Sequence, residues 1–235
     1  MKSQVIIEKL WRYPVKSLLG ESLIELAIDR RGVVGDRLYA ISNRQGKFGS
    51  GKNTRRFRKI KGLFDFQAKY HNDIPVITFP NGRIFRGDDP NINRELSSVL
   101  GQPVTLVLEQ NISHFDAGSL HLITTSSLRW LKNLLPNSTI DARRFRPNLL
   151  IDTSGTGLVE HDWIGKKLII GEELEIEITH FTERCIMTSF AQQELESDRN
   201  ISQTIAKKSR HNFGVYAKVI KPGTIYRGDR IYFDI

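Results

Sequence analysis

The 235-residue sequence predicts a mainly-β fold of barrel type with a few short helices. Three observations carry that expectation. Short segments alternate apolar with polar residues, which is the period of a half-buried strand. Clusters of Gly, Pro, Asn and Asp separate them. Helical patterns are too few and too irregularly placed to alternate with strands, as a doubly wound parallel sheet requires.

Along the chain the predicted strands are VIIEKLW (5–11), SLIELAID (22–29), RLYAIS (37–42), PVITFP (75–80), RIFRG (83–87) and VTLVLE (104–109). They continue with HLIT (121–124), NLLIDT (148–153), KLIIG (167–171), LEIEIT (174–179), GVYAKVI (214–220) and RIYFDI (230–235). A helix is expected from Asn93 to Leu100, stopped at Gly101. A second is expected to be capped by Ser126 or Ser127 and to run through Leu128, Leu131 and Leu135 to Pro136. A third follows Asp198, with Lys207, Lys208 and Arg210 near its C-terminal end, where cations suit the helix dipole. The polar stretch near 95–103 is the expected boundary between two β units, 1–100 and 101–235.

The composition bounds the class. With 39% hydrophobic and 26% charged residues, wholesale disorder is excluded. No run of 18 apolar residues occurs, and the N-terminus has no long apolar segment, so neither a transmembrane helix nor a signal peptide is expected. The single cysteine cannot form an internal bridge, which points to a cytoplasmic protein. The net charge is +9, and Arg44–Lys61 holds eight basic residues and no acidic one. Such a focused field suits an anionic partner, although a charge run is ordinarily just a solvated face. Nucleic acid is not expected to be that partner: only Phe48 and Phe57 interleave with the charges, too few for a stacking platform.

Three stretches are candidates for chemistry. Gly46 to Asn53 nearly matches a phosphate-binding P-loop, but Asn53 stands where Ser or Thr is needed, and the residues that follow form a poor helix. A flexible loop carrying Lys52 can still close over an anion. The six histidines make no zinc-type spacing. In Arg144-Phe-Arg146-Pro-Asn148, a period of 2 places Arg144, Arg146 and Asn148 on one face as a multi-donor anion clamp. Cys185 lies just after the strand LEIEIT, with Arg184 before it. A lone Cys is commonly a small buried hydrophobe. A reactive one needs nearby positive charge, and in an extended chain Arg184 points to the opposite face, so help would come from another strand.

These residues resemble a known family. Leu10-Trp-Arg-Tyr-Pro14-Val15-Lys16-Ser17, Gly35-Asp36-Arg37 and Ser50-Gly51-Lys52 are similar to the N-terminal β-barrel that precedes MOSC domains. The segments from His121 to Leu128, Arg144 to Asn148, Asp162 to Gly165, Arg184 to Thr188, Phe213-Gly214 and Gly223 to Asp229 resemble the MOSC domain itself, named for the C-terminal domain of molybdenum-cofactor sulfurase. The two-part layout is similar to the mitochondrial amidoxime-reducing component and its bacterial relatives. The match runs in order over nearly the whole chain.

The resemblance implies β-barrel units that bind molybdenum cofactor, a pyranopterin with a phosphate and a dithiolene. It implies that Cys185 is the metal ligand and catalytic residue. Lys16, Ser17, Arg37 and Lys52 are implied to hold the cofactor from the N-terminal unit. Thr124, Arg144, Arg146 and Asn148 are implied around the pterin, with Arg184 and Thr188 flanking the ligand. The implied activity is that of an oxidoreductase reducing a small N-hydroxylated substrate with electrons from a separate donor protein. No flavin, haem or iron–sulfur motif is present to supply them within this chain. The alternative is a sulfur carrier or cofactor carrier using a Cys185 persulfide. Pyridoxal phosphate is not expected, because in the sulfurase family it belongs to a separate domain. One departure stands out: Ser189-Phe190-Ala191 lacks the acid that family members often carry after the cysteine. A proton-delivering carboxylate would then have to come from elsewhere.

Overall fold

A computed structural model describes residues 5–233. The protein is mainly β, with three α-helices: α1 (Ile92–Leu100), α2 (Thr125–Leu134) and α3 (Arg199–Ser209). Each segment predicted as a strand holds one, except 22–29, which is split at Ile24 between Glu21–Leu23 and Glu25–Asp29; the last predicted residues, 234 and 235, lie outside the described residues. Strands the alternation did not reveal are short or lie in polar sequence. Phe48–Ser50 and Phe57–Lys59 sit within the basic stretch, and Gln67–His71 and Gly223–Tyr226 pair with predicted neighbours.

Eight strands form the largest sheet, in the order Ile231–Phe233, Lys167–Ile170, Leu174–Glu183, Asn212–Lys221, Leu120–Thr124, Leu149–Asp152, Ile6–Arg12, Glu21–Leu23. Its pairs are antiparallel except Leu120–Thr124 with Leu149–Asp152. Those two are joined through α2, the crossover that a parallel pair needs. Among the described residues no sheet closes on itself. The alternation works as read: along Leu174–Glu183, Leu174, Ile176 and Ile178 face inward and are fully buried, joining Ile7, Leu122, Leu149 and Val215 in one core. A second core gathers Val15, Ile41, Phe66, Ile77 and Leu96 beneath the smaller sheets of residues 39–108.

Ladders tie the two halves of the chain together. Ile6–Arg12 pairs with Leu149–Asp152, Tyr39–Asn43 with Val104–Leu108, and Glu25–Asp29 with Gly223–Tyr226. The same pairings bring the Pro14–Ser17 turn, the Gly49–Lys52 loop and the Arg184–Thr188 segment to one place.

Two helix boundaries fall as predicted, and one is corrected. Gly101 ends α1 in the left-handed region, with φ 65°, and Asp198 caps α3 by accepting from Asn200 N. The cap of α2 is Thr124, not Ser126 or Ser127: its hydroxyl accepts from Ser127 N at 3.1 Å. Thr124 and Ser127 both donate to the buried Glu160 carboxylate, so the acid does not pick the cap; Thr124 caps because its backbone is extended, with φ −114° and ψ 156°, while Ser126 and Ser127 already lie inside the helix.

Candidate functional site

Lys16, Ser17, Arg37, Lys52, Arg144, Arg146, Arg184, Cys185 and Thr188 line one cavity of about 90 Å³. Nine of the residues marked from the sequence thus converge from five separate parts of the chain. The remaining two do not. Thr124 is fully buried, capping α2 and donating to Glu160 at 2.7 Å. Asn148 is a buried structural amide: its Oδ1 accepts from His121 N at 3.1 Å and its Nδ2 donates to Trp11 O at 3.3 Å.

The extended reading of residues 144–148 is also corrected. Ala142–Phe145 is a 3₁₀ turn, and Arg146 follows it with φ 53°. Asp141 caps the turn, and Pro147 lacks the N–H that a strand there would donate. Arg144 and Arg146 therefore diverge. Arg144 donates to three backbone carbonyls, Thr139 O, Phe190 O and Glu196 O, at 3.0, 3.2 and 2.7 Å. It is chiefly a strut holding the cysteine segment. Arg146 anchors one nitrogen on Leu18 O at 2.6 Å and lies over the Tyr13 ring. Its Nη2 is buried without a partner.

Tyr13 and Asp36 organise the cations. Asp36, fully buried, accepts from Tyr13 N at 2.7 Å and pairs with Arg37. The Tyr13 ring carries Arg37 on it as well as Arg146. Arg37 then donates to Arg146 O at 3.2 Å, which spaces the two guanidiniums. Ser17, Arg37 and Arg146 all adopt positive φ, at 64°, 51° and 53°. Non-glycine residues held there carry strain, and such strain gathers at sites the surrounding fold over-determines.

Lys16 is buried, 3.0 Å from Asp116 and stacked over the Phe57 ring. Burial pushes its ammonium down to about 8, against the opposing pull of Asp116. Desolvation works against the Asp116 carboxylate, but Lys16 holds it below the usual range all the same. Burial, then Arg37, lowers Arg146 to about 10. Burial also lowers Arg184, whose Nε has no partner while another of its nitrogens donates to Phe145 O. His121, buried beside Arg184 at 3.4 Å, is held neutral by burial first and that cation second.

Cys185 is half-buried on this cavity and precedes a 3₁₀ turn, Ile186–Ser189. Thr188 closes the turn, its N–H and hydroxyl both donating to Cys185 O. Lys16, Arg37 and Arg146, from other elements, line the same cavity as Cys185 and Arg184. Across the cavity, Gly51 N–H donates to Met187 Sδ at 3.1 Å. The segment after Ser50 forms no helix, so the P-loop-like spelling is not a P-loop.

Sequence reasoning missed Asp116, Glu183, Met187 and Tyr216 on the cavity wall. Asp116 and Glu183 are the carboxylates on that wall. Nothing local marks Asp116, which lies in an irregular loop. Among the described residues no three His, Cys, Asp or Glu side chains converge as a metal-ligand set. No helix among them is long and apolar enough to cross a membrane.

The fold and this cleft define a two-part, mainly-β protein with one cysteine set among buried cations. Residues 109–232 match the MOSC domain model and residues 4–85 the MOSC N-terminal beta barrel domain model, so the chain belongs to the MOSC domain family. MOSC domains are associated with molybdenum-cofactor sulfurase-like proteins. No curated protein matches the chain. Among solved structures it is similar to the YUAD protein from Bacillus subtilis, at 13% identity over 98% of this chain and 96% of that one, with a TM-score of 0.50. It is also similar to YiiM from Geobacillus stearothermophilus, at 15% identity over 65% of this chain and 67% of that one, with a TM-score of 0.40. The first likeness extends to the fold alone.

Proposed function

We propose that the chain binds molybdenum cofactor through Cys185 and the surrounding cations and works as a molybdenum-dependent oxidoreductase. The observation that carries this is the convergence on one cavity of the single cysteine with Lys16, Arg37, Lys52, Arg146 and Arg184. The residues fit the group. Arg146 Nη2 and Arg184 Nε are buried donors with no acceptor, a costly arrangement that an anionic ligand relieves. A space of about 90 Å³ suits a phosphate-sized head rather than a whole pterin. Arg146 also borders an adjoining cavity of about 190 Å³ lined by Trp11, Tyr13 and Gln192, which gives the rest of such a molecule room. Since no cluster of protein ligands converges among the described residues, Cys185 would be the protein donor to a metal otherwise held by dithiolene sulfurs, a soft set suited to molybdenum.

When bound, the cofactor supplies two-electron chemistry at the metal. The chain's own residues do the rest. Lys16, Arg37 and Arg146 neutralise the anion, Thr188 fixes the cysteine backbone, and Asp116 and Glu183 stand where a proton can be exchanged. Reduction of a small N-hydroxylated compound is the proposed reaction. The basic stretch supports a separate acidic electron donor: Arg44, Arg55, Arg58, Lys59 and Lys61 are exposed and form no ion pair among the described residues. Unpaired charge of one sign beside a cleft speeds encounter with a partner of the other.

The test is molybdenum and pterin per chain, for wild type and Cys185→Ser purified from a host that makes the cofactor. Near-stoichiometric molybdenum in wild type and its loss in the variant are expected. A folded wild type with no molybdenum overturns the reading; a persulfide on Cys185 by mass spectrometry would then mark a sulfur carrier.

A further inference from the structure

Beside the cysteine cavity lies a larger, apolar one. Ile60, Leu63, Phe64, Phe190 and Ala191 enclose a groove of about 310 Å³, with Lys59, Lys61 and Asp65 at its edge. Ile60, Leu63 and Phe64 are nearly inaccessible and so form walls rather than an exposed patch. Phe64 and Phe190 meet edge to face, with ring centroids 6.4 Å apart.

The groove and the cysteine cavity share Met187, which borders both. They are also joined through Phe64, whose ring faces Phe190 on the groove side and lies 5.5 Å from the Arg146 guanidinium. The side chain that borders both spaces is thus an unbranched thioether, which readily changes shape to suit its neighbours. It rests on Gly51, where a Cβ would come within 2.1 Å of Met187 Cγ. A glycine there is what allows Met187 to lie between the cavities.

We infer that this groove is the substrate-body subsite: it seats the aromatic or bicyclic part of a small molecule whose polar reacting head passes Met187 to reach Cys185. This rests on Cys185 marking the reacting end of the cleft. The size sets the class. A dry cavity of about 150 Å³ lined by Leu, Ile and Phe holds benzene, so 310 Å³ takes a fused pair of rings. Mostly apolar walls with a few polar groups at one end are the usual build of a small-molecule site. The reacting end is crowded with cations and polar donors, so a ligand lying across both spaces is amphiphilic: an uncharged aryl body with a compact polar head.

The test uses naphthalene-2-carboxamidoxime and acetamidoxime, which share a head and differ in the body. The chain has two methionines, so methyl-labelled Met187 reports occupancy directly, with Met1 as the other signal. In molybdenum-free protein the naphthyl probe is expected to shift the Met187 methyl resonance and to bind at least tenfold more tightly than acetamidoxime. Ala191→Trp, a change at an exposed position on the groove wall, is expected to remove that advantage. A Met187 signal that the naphthyl probe leaves in place overturns the inference, as does an affinity ratio near one or a ratio that survives Ala191→Trp. The loaded protein separates this from the reading it rests on. Turnover of acetamidoxime with no naphthyl preference sinks the groove alone. Groove binding without molybdenum retention by Cys185 supports a ligand site there and sinks the cysteine reading alone.

Discussion

Gly51 and Met187 are packed so closely that neither residue can be described without the other: the Gly51 N–H points at the Met187 sulfur at 3.1 Å, and no side chain fits between them. Gly51→Ala is therefore expected to cost about 1–3 kcal/mol by overpacking. Combining it with Met187→Ala should recover most of that loss, since the obstructing atoms are gone. Denaturant unfolding of the two single variants and the double measures the coupling. Additive effects would mean that the contact carries no energy.

Cys185→Ser is expected to leave the fold intact, with a stability change within about 1 kcal/mol, because the half-buried thiol is replaced by a group of similar size. Molybdenum content should fall to background. Metal analysis alongside a thermal melt separates lost ligation from lost folding.

Lys16 links the site to pH. Its folded value of about 8 lies below the ordinary 10.5, because burial disfavours the charge. Below pH 8 both folded and unfolded chains hold the proton, and the full cost of burying it is present. Between about pH 8 and 10.5 the folded chain releases a proton that the unfolded chain keeps, so stability rises with pH across that window, by on the order of 3 kcal/mol. Lys16→Met should abolish the rise. Anion binding runs the other way: affinity for inorganic phosphate should weaken as pH climbs through 8 in wild type, and this part of the pH dependence should vanish in the variant. Denaturant unfolding checks the first sign and titration calorimetry with phosphate the second, each at about pH 6.5 and 9.5.

Arg144 and Arg146 should separate cleanly despite their proximity. Arg144→Ala leaves three backbone carbonyls without their donor and is expected to destabilise the protein by about 2–4 kcal/mol. Arg146→Ala removes a buried cation with an unpartnered nitrogen, so its main effect should fall on phosphate affinity. Equal loss of affinity in both variants, at equal stability, would contradict the division of labour.

Thr124→Ala is expected to cost about 1 kcal/mol through the lost cap of α2, with no change in anion affinity. Thermal unfolding and phosphate titration test the two halves of that statement.

Much of this protein was legible from residue order alone. Alternation marked the strands because each has one face in a core, as the inward Leu174, Ile176 and Ile178 show. The short pieces Phe48–Ser50 and Phe57–Lys59 escaped because three residues do not establish a period: the first is buried at every position and the second exposes two cations in a row. Asp198 and Gly101 announced helix ends through chemistry that is local to the chain. The cap of α2 did not, since three hydroxyl residues stand together and only the backbone, extended at Thr124 and helical from Thr125, selects among them.

The sequence by itself determined the mainly-β class, the single cysteine, the density of cations and the ordered motifs of the family. These depend on residue type and spacing, which a linear chain displays in full. Tertiary structure alone decided which cations leave a donor free in the cleft and which are spent on backbone carbonyls. Arg144 and Arg146 have the same side chain two positions apart, yet the 3₁₀ turn and the left-handed Arg146 send one to carbonyls at Phe190 and Glu196 and the other toward the cleft. The same holds for Asp116, which becomes a site residue only because a distant lysine is buried against it. An ionised group takes its role from the charges and solvent around it, and long-range strand pairing is what assembles those surroundings.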